Sequence, residues 1–248
     1  MAIQLHKPLP QLLHETDTTV AHYQVWDTVY AGRPARVLYT GQRQTAQSGM
    51  AVDDRTDLLF DYNQRFYELI EGLQPRRVLL IGGGVYTLPT ALCNDFPELI
   101  LDVIEIDGQL DNLARQYFDF HDWPKLTIIH QDGRQFLETT DQTYDLVLID
   151  AYMQADVPSS LQPSEIAPLL SRRLSPQGVV AYNLIAVYRG LRGHALRQEQ
   201  EKLRAVFPSV SLHPAGHGQS LWLPQNLLLI GQLGQPHDLN GIVRYPSI

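Results

Sequence analysis

An apolar run that ends in three glycines constrains the fold of this chain more than any other feature. Residues 78–81 are followed by Gly82, Gly83 and Gly84, and a second apolar run ends at Glu105, which lies 21 residues after Gly84. A strand, turn, helix and strand place roughly 20 residues between a phosphate-type loop and an acid that binds ribose. Glycine lacks a Cβ and tolerates positive φ, so the main chain can pass close to a ligand. The pattern predicts a nucleoside pocket in a parallel sheet.

Two further apolar runs end in acids. Residues 126–130 precede Asp132 and Gly133, and residues 144–149 precede Asp150. The carboxyl ends of parallel strands meet at the edge of an open α/β sheet, where ligands bind. We therefore expect Glu105, Asp132 and Asp150 to surround one site. A helix cap is the alternative explanation for any single one of them.

The glycine spacing disfavours two common nucleotide ligands. A dinucleotide site follows Gly-x-Gly-x-x-Gly, and Thr87 stands where the third glycine would be. The sequence also lacks the Gly-Lys-Ser/Thr that a triphosphate and its magnesium require. A nucleoside with a weakly anionic tail is left, and the acids favour a positively charged ligand such as a sulfonium.

These motifs, in this order and spacing, resemble the core of the spermidine synthases, the polyamine aminopropyltransferases, which share the class I methyltransferase fold. The resemblance covers roughly residues 20–215. It implies a Rossmann-like α/β domain over residues 53–248, preceded by a small antiparallel β element over residues 1–52. It also implies a homodimer or homotetramer and a small-molecule acceptor.

The resemblance further implies roles for individual residues. The glycine loop would lie under the methionine-derived tail of decarboxylated S-adenosylmethionine, with Glu105 on the ribose and Asp132 facing the adenine amino group. Asp150 would orient and deprotonate the attacking amine. Further candidates are Asp107, Gly133 and Gln47 for the cofactor, and Gln24 and Tyr152 for the substrate.

Departures from the family pattern concern the polyamine. Synthases continue the triple glycine with Asp-Gly-Gly, whose aspartate grips the free amine of the aminopropyl tail, whereas residues 85–87 here are Val-Tyr-Thr. After Asp150 the family has Ser-Ser/Thr-Asp-Pro, but residues 151–154 are Ala-Tyr-Met-Gln. The Tyr-His-Glu motif is replaced by a segment near residues 60–62. The chain resembles a spermidine-synthase-like branch that keeps the nucleoside site and alters the polyamine site.

Three function classes follow. The first is a transferase that moves a methyl or aminopropyl group from S-adenosylmethionine or its decarboxylated form to a nucleophile, with an amine as the expected acceptor. The others are a non-catalytic nucleoside-binding or scaffold homologue and a nicotinamide oxidoreductase. A rearranged polyamine channel would draw on Asp53, Asp54, Asp57, Asp61 or Asp156. The alternative for the first four is an exposed helix start with Asp53 or Asp54 as its cap.

Composition excludes other classes. The net charge of −8 argues against nucleic-acid binding. Cys93 is the single cysteine, and His213 and His217 have no third ligand at a metal-binding spacing, so we expect no disulfide within the chain and no metal. No apolar run approaches about 18 residues, and we expect a cytoplasmic protein with no membrane contact.

Hydrophobic periodicity predicts the remaining elements. Strands at residues 23–29 and 36–40 flank a turn, and a helix covers residues 54–72. Strands and helices then alternate, which implies right-handed crossovers. The later elements are a strand at 178–184, a helix at 191–207, strands at 209–213 and 221–230, and a loosely ordered tail from residue 234.

Overall fold

Four strands form an antiparallel sheet in the amino-terminal part of the chain. The computed structural model describes residues 9–41, 45–54, 57–152, 158–187, 193–216 and 222–239. In this sheet β1 (Gln11–Asp17), β2 (His22–Tyr30), β3 (Arg33–Thr40) and β4 (Thr45–Ala51) pair in chain order. Ala31 and Gly32 have φ values of 49° and 81°, the left-handed conformations of a two-residue hairpin turn. The two strands predicted from sequence are confirmed within β2 and β3.

A seven-stranded, mostly parallel sheet forms the centre of the protein. Its strands are β5 (Arg77–Ile81), β6 (Ile100–Glu105), β7 (Leu126–His130), β8 (Tyr144–Ile149), β9 (Leu174–Ala186), β10 (Ser209–Pro214) and β11 (Gln225–Gln232). Their spatial order is β10-β11-β9-β8-β5-β6-β7. Strand β11 runs antiparallel to both of its neighbours, β10 and β9. The chain moves outward from β5 to β7 and then returns to β8 on the other side of β5. The gap between β5 and β8 is therefore the topological switch point, where α/β sheets bind ligands.

Helices cover both faces of this sheet. They are α1 (Asp61–Leu73), α2 (Thr87–Asp95), α3 (Leu110–Tyr117), α4 (Gly133–Thr139), α5 (Pro163–Arg173) and α6 (His194–Leu203). Side chains alternate along a strand, so Val78 and Leu80 join one apolar cluster while Leu79 and Ile81 join the other. The α/β Rossmann-like fold is confirmed, and its central strands are buried on both faces.

The first helix begins later than the sequence predicts. It starts at Asp61 rather than at residue 54, and Phe60 is its N-cap without a side-chain hydrogen bond. Arg33 forms ion pairs with Asp53 and Asp57, at 3.1 Å and 2.5 Å, and Leu58 bridges to Met50 of β4. The prediction that Asp53 or Asp54 caps this helix is wrong, because Asp53 and Asp57 pair with Arg33 and Leu58 bridges to β4 before the helix begins at Asp61.

Smaller differences affect the ends of later elements. The strand predicted at 178–184 extends over Leu174–Ala186, and the strand predicted from residue 221 begins at Gln225. The helix predicted over 191–207 covers His194–Leu203. Among the described helices, none has both the length and the apolar character needed to cross a bilayer.

Candidate active site

A cavity of about 260 Å³ opens at the carboxyl edge of the large sheet, at the switch point between β5 and β8. Its lining contains most of the residues that the sequence singled out: Gln47, Gly82, Gly83, Gly84, Glu105, Asp132, Gly133, Asp150 and Tyr152. The charged side chains among its described lining residues are Glu105, Asp132 and Asp150. All three are acidic, so the cavity favours a ligand that carries positive charge.

The glycine loop is shaped by contacts within the protein. Gly82 has a φ of 95°, and a Cβ on it would lie 2.2 Å from the carbonyl oxygen of Asp150. A Cβ on Gly83 would lie 2.4 Å from the ring of Tyr86. Glycine at these two positions therefore lets β8 and the Tyr86 ring approach the loop, in addition to leaving the main chain bare towards the cavity.

Glu105 holds the loop from beneath. One carboxylate oxygen accepts hydrogen bonds from the main-chain nitrogens of Gly83 and Gly84, at 2.8 Å and 3.0 Å, and the other accepts from that of Asp107 at 2.9 Å. Burial raises the pKa of Glu105, although these three bonds lower it. Since a carboxylate has about four lone-pair sites, Glu105 has little capacity left for ribose.

Asp132 and Gly133 form the next part of the wall. Asp132 is the N-cap of α4, and its carboxylate accepts a hydrogen bond from the main-chain nitrogen of Gln135 at 2.9 Å. One oxygen thus caps a helix, as the alternative explanation expected, while the residue also lines the cavity. A Cβ on Gly133 would lie 2.5 Å from a methyl carbon of Ile81, so this glycine lets α4 pack against β5.

Asp150 lies at the end of β8 with two donors directed at its carboxylate. The Nδ2 of Asn183 donates to Oδ1 at 2.8 Å, and the hydroxyl of Tyr62 also donates to this carboxylate. Burial raises the pKa of Asp150 to about 6, despite the opposing effect of these hydrogen bonds. The group is half-buried, fixed in position and ionised at neutral pH, which suits a general base.

Three predicted residues have structural roles. The Tyr152 side chain lines the cavity, but its hydroxyl donates to the main-chain oxygen of Asn183 at 2.8 Å. Asp107 and Gln24 do not belong to the cavity lining. Asp107 accepts from the hydroxyl of Thr18 at 2.5 Å, and Gln24 donates to Glu15 at 2.7 Å. The structure therefore does not bring Asp107 and Gln24 to the predicted site.

Sequence reasoning missed the residues that surround Asp150. Tyr62 and Asn63 lie in the first turn of α1 and line the cavity. Tyr62 belongs to the segment at residues 60–62 that replaces the Tyr-His-Glu motif of the family, and Asn63 follows it. Asn183 lies within the otherwise apolar stretch of β9. A polar residue within the apolar run of a predicted strand is a usable signal for Asn183. The corresponding signal for Tyr62 was hidden by the misplaced start of the helix.

Some of the candidates from the sequence cannot be placed. Asp156 and His217 lie outside the described residues, as does the part of the tail from residue 240. Among the residues that the structure describes, no three histidine, cysteine or acidic side chains are grouped closely enough to hold a metal. His213 lies in β10, where burial lowers its pKa to about 4.

The sequence of this chain is similar to those of known proteins. The spermine/spermidine synthase domain model matches residues 65–214, more than half of the chain. A polyamine aminopropyltransferase from Vibrio vulnificus is 31% identical over 137 residues, which are 54% of this chain and 44% of that protein. One from Alkaliphilus metalliredigens is 28% identical over 182 residues, which are 71% of this chain and 63% of that protein. The chain spans about half the length of the first of these relatives.

Solved structures share the fold at lower sequence identity. A probable spermidine synthase from Corynebacterium glutamicum has a TM-score of 0.75 at 18% identity, covering 94% of this chain and 84% of that chain. A spermidine synthase in complex with the transition-state analogue AdoDATO has a TM-score of 0.69 at 16% identity, covering 96% and 80%. Human methyltransferase-like protein 13 in complex with SAH has a TM-score of 0.59 at 20% identity, covering 76% and 95%.

The resemblance read from the motifs is therefore confirmed at the level of fold and family. The seven-stranded sheet is that of spermidine synthases and of a methyltransferase-like protein. The matched domain also includes β5 to β9, which carry the glycine loop, Glu105, Asp132 and Asp150. This chain belongs to the spermine/spermidine synthase family.

Proposed function

We propose that the protein transfers an alkyl group from an adenosyl sulfonium to an amine at the switch-point cavity. The observation that carries this proposal is the charge of the wall, because every charged residue among the described lining residues is acidic. An acidic wall favours a sulfonium and an ammonium and disfavours the phosphates of NAD or a nucleoside triphosphate. Family membership supports the same class of donor.

The nucleoside would lie along the glycine loop, with Asp132 and Gln47 within the same wall. Gly82, Gly83 and Gly84 present bare main chain to the cavity, and Glu105 fixes the loop through three hydrogen bonds. The spermidine synthase neighbour was solved with AdoDATO and the methyltransferase-like neighbour with SAH. These complexes support a ligand of the same class for this fold.

Asp150 is the proposed proton acceptor. An amine must be neutral to act as a nucleophile, and a carboxylate at hydrogen-bond distance can take its proton while orienting it. With its pKa raised to about 6, Asp150 is a stronger base than an ordinary aspartate and stays ionised at neutral pH. The bonds from Tyr62 and Asn183 hold the carboxylate in one orientation. The bound donor supplies the electrophilic carbon, and the protein supplies position, orientation and exclusion of water.

We further propose that the donor is S-adenosylmethionine and the transferred group methyl. An aminopropyl tail ends in an ammonium group, which needs a paired acid when it leaves water. The residue after the glycine loop is Val85, which is fully buried in the apolar core. Near the loop the lining carries the hydroxyls of Ser48 and Thr87, 3.4 Å apart, and neither is charged. This part of the wall offers no paired acid to an isolated ammonium, and its uncharged hydroxyls do not repel the carboxylate of a methionine tail.

Calorimetry and turnover test this proposal together. S-adenosylmethionine, its decarboxylated form, methylthioadenosine and NAD would each be titrated into the full chain, and the transfer to amines and hydroxyls followed by mass spectrometry. We expect binding of S-adenosylmethionine and methylthioadenosine, none of NAD, and methyl transfer to an amine. Tighter binding of the decarboxylated donor with aminopropyl transfer would contradict methyl transfer. Methylthioadenosine binding without any transfer would instead identify a non-catalytic homologue.

A further inference from the structure

The part of the cavity next to Asp150 has an aromatic wall. Tyr30 at the end of β2, Phe60 at the N-cap of α1, and Tyr62 all line the cavity. The rings of Tyr30 and Phe60 meet edge to face with centroids 5.1 Å apart, and those of Phe60 and Tyr62 stack at 5.8 Å. This wall offers aromatic surface to whatever lies beside the carboxylate.

Among the described lining residues, Asp150 is the one carboxylate available to a cation at this end. Glu105 is bonded to the glycine loop and Asp107, and Asp132 caps α4. A polyamine with two or more ammonium groups would leave at least one without a carboxylate in this wall. Desolvating an unpaired ammonium costs more than an aromatic face regains. The described part of the wall therefore favours an acceptor with a single charge.

Asn183 adds a second group that a ligand would satisfy. Its side chain is 3% exposed and lines the cavity, and its Nδ2 donates to Asp150. Its Oδ1 is buried and has no hydrogen-bond partner in the described structure. Leaving a buried acceptor without a hydrogen bond is unfavourable, so this oxygen marks a place for a donor group. An ammonium has three donors, so a single one has enough hydrogen bonds for both a carboxylate and an amide oxygen.

We propose that the acceptor is a monoamine with an aromatic or apolar body, which rests on the proposed transferase function. The ammonium donates to Asp150 and to Oδ1 of Asn183, and the body packs against Phe60 and Tyr62. Asp150 takes one proton. The neutral nitrogen then forms a bond to the donor's methyl carbon as the bond from that carbon to sulfur breaks, and the electron pair of that bond goes to sulfur. The products are a secondary ammonium and a neutral thioether.

Acceptor competition tests this assignment. The full chain would be given S-adenosylmethionine with 2-phenylethylamine, butylamine, putrescine or spermidine, and kcat/KM measured for each by mass spectrometry. We expect the kcat/KM for 2-phenylethylamine to exceed that for putrescine by about tenfold or more. A kcat/KM for putrescine that equals or exceeds it overturns the acceptor assignment while leaving the transferase intact. Donor binding with no transfer to any of these amines overturns both.

Two variants sharpen the result. Asn183→Asp adds a second carboxylate beside Asp150, and we expect the preference to shift towards putrescine. Asn94→Asp adds the same charge on the exposed face of α2 and should leave the preference unchanged.

Phe60→Leu should raise KM for 2-phenylethylamine more than KM for butylamine. Tyr67→Leu is its control, since Tyr67 packs against Phe96 outside the cavity lining. Equal changes for both amines in Phe60→Leu would count against the aromatic wall as the acceptor surface.

Discussion

The two halves of the cavity are built differently. The proposed donor half, Gly82–Gly84 with Glu105 and Asp132, consists of main chain and of acids that bond to main chain. The proposed acceptor half, Asp150 with Tyr62, Asn183 and Phe60, consists of side chains from separate elements of the fold. The halves meet where Gly82 packs against the carbonyl of Asp150. The difference suggests that the donor half depends on backbone geometry, while a few side-chain changes can alter acceptor choice.

Replacement of the proposed base is expected to separate the halves most strongly. Asp150→Asn keeps an oxygen that can accept hydrogen bonds from Asn183 and Tyr62 but cannot take a proton. Turnover should fall by about 10²–10⁴-fold, with donor affinity unchanged, in parallel kinetic and calorimetric measurements. Asp145→Asn, at the opposite end of β8, removes a carboxylate that accepts from the main chain of Arg76 and Arg77 and should keep turnover. Full turnover of Asp150→Asn would exclude Asp150 as the base.

A Cβ where the halves meet should damage both. In Gly82→Ala the added atom would lie 2.2 Å from a carbonyl oxygen at a φ of 95°, so we expect a loss of more than about 3 kcal/mol in the free energy of unfolding. Gly32→Ala is a matched control because its φ is also positive, yet nothing lies within 4 Å of the new Cβ. Its loss should be about 1–2 kcal/mol. Equal losses in urea unfolding would show that packing on Asp150 is not the reason for Gly82.

The pH dependence of stability tests the Asp150 carboxylate of the acceptor half. The pKa of Asp150 is raised to about 6 from 3.8. The contribution of this group to the free energy of unfolding is therefore fully present below pH 3.8, and it is lost as the pH rises through about 6. Asp150→Asn does not titrate, so its stability relative to the unmodified protein should grow between about pH 4 and about pH 8, by at most about 3 kcal/mol. Thermal unfolding across this range measures the difference. A constant difference would mean that the pKa of Asp150 is not raised.

Glu105→Gln tests the donor half. Glutamine retains one oxygen and directs an amide group at main-chain nitrogens, so the loop loses at least one charge-assisted hydrogen bond. Donor affinity should fall by about 10–100-fold in calorimetry. Glu98→Gln is the control, because Glu98 is 91% exposed and pairs only with Lys125 in the described ion pairs. Unchanged affinity in Glu105→Gln would show that the donor does not need this loop geometry.

The smallest expected effect concerns Tyr62. In Tyr62→Phe the carboxylate of Asp150 loses one of its donors, which should raise its pKa further and lower turnover at neutral pH by roughly five-fold. The informative readout is the profile of kcat/KM against pH, which should rise through about pH 6 in the unmodified protein and at higher pH in the variant. An unshifted profile with lower turnover would mean that Tyr62 does not act through Asp150.

The same contrast explains what the sequence could predict. Each donor-half motif is local, because a strand and the two to four residues after it form one unit, so the sequence predicts the glycine loop, Glu105 and Asp132 together. Asp150 of the acceptor half follows its strand in the same way and is predicted with them. The alternating apolar runs likewise predicted the parallel sheet. The role of Glu105 was expected to be direct ribose binding, yet its carboxylate bonds first to Gly83 and Gly84. Only the fold shows which partner a buried acid has.

The acceptor half depended on long-range contacts that no local pattern encodes. Arg33 pairs with Asp53 and Asp57, which shortens α1 and puts Tyr62 in its first turn. Thr18 similarly donates a hydrogen bond to Asp107, which does not line the cavity. These contacts join residues that are far apart in the sequence. The hydrophobic periodicity of the sequence therefore does not predict them.

A crystal structure of the protein with S-adenosylhomocysteine tests the central claim most directly. Our account predicts the nucleoside over Gly82–Gly84, its ribose and adenine between Glu105 and Asp132, and its sulfur facing Asp150 across a space bounded by Tyr62 and Asn183. A ligand bound elsewhere, or a sulfur turned away from Asp150, would contradict it.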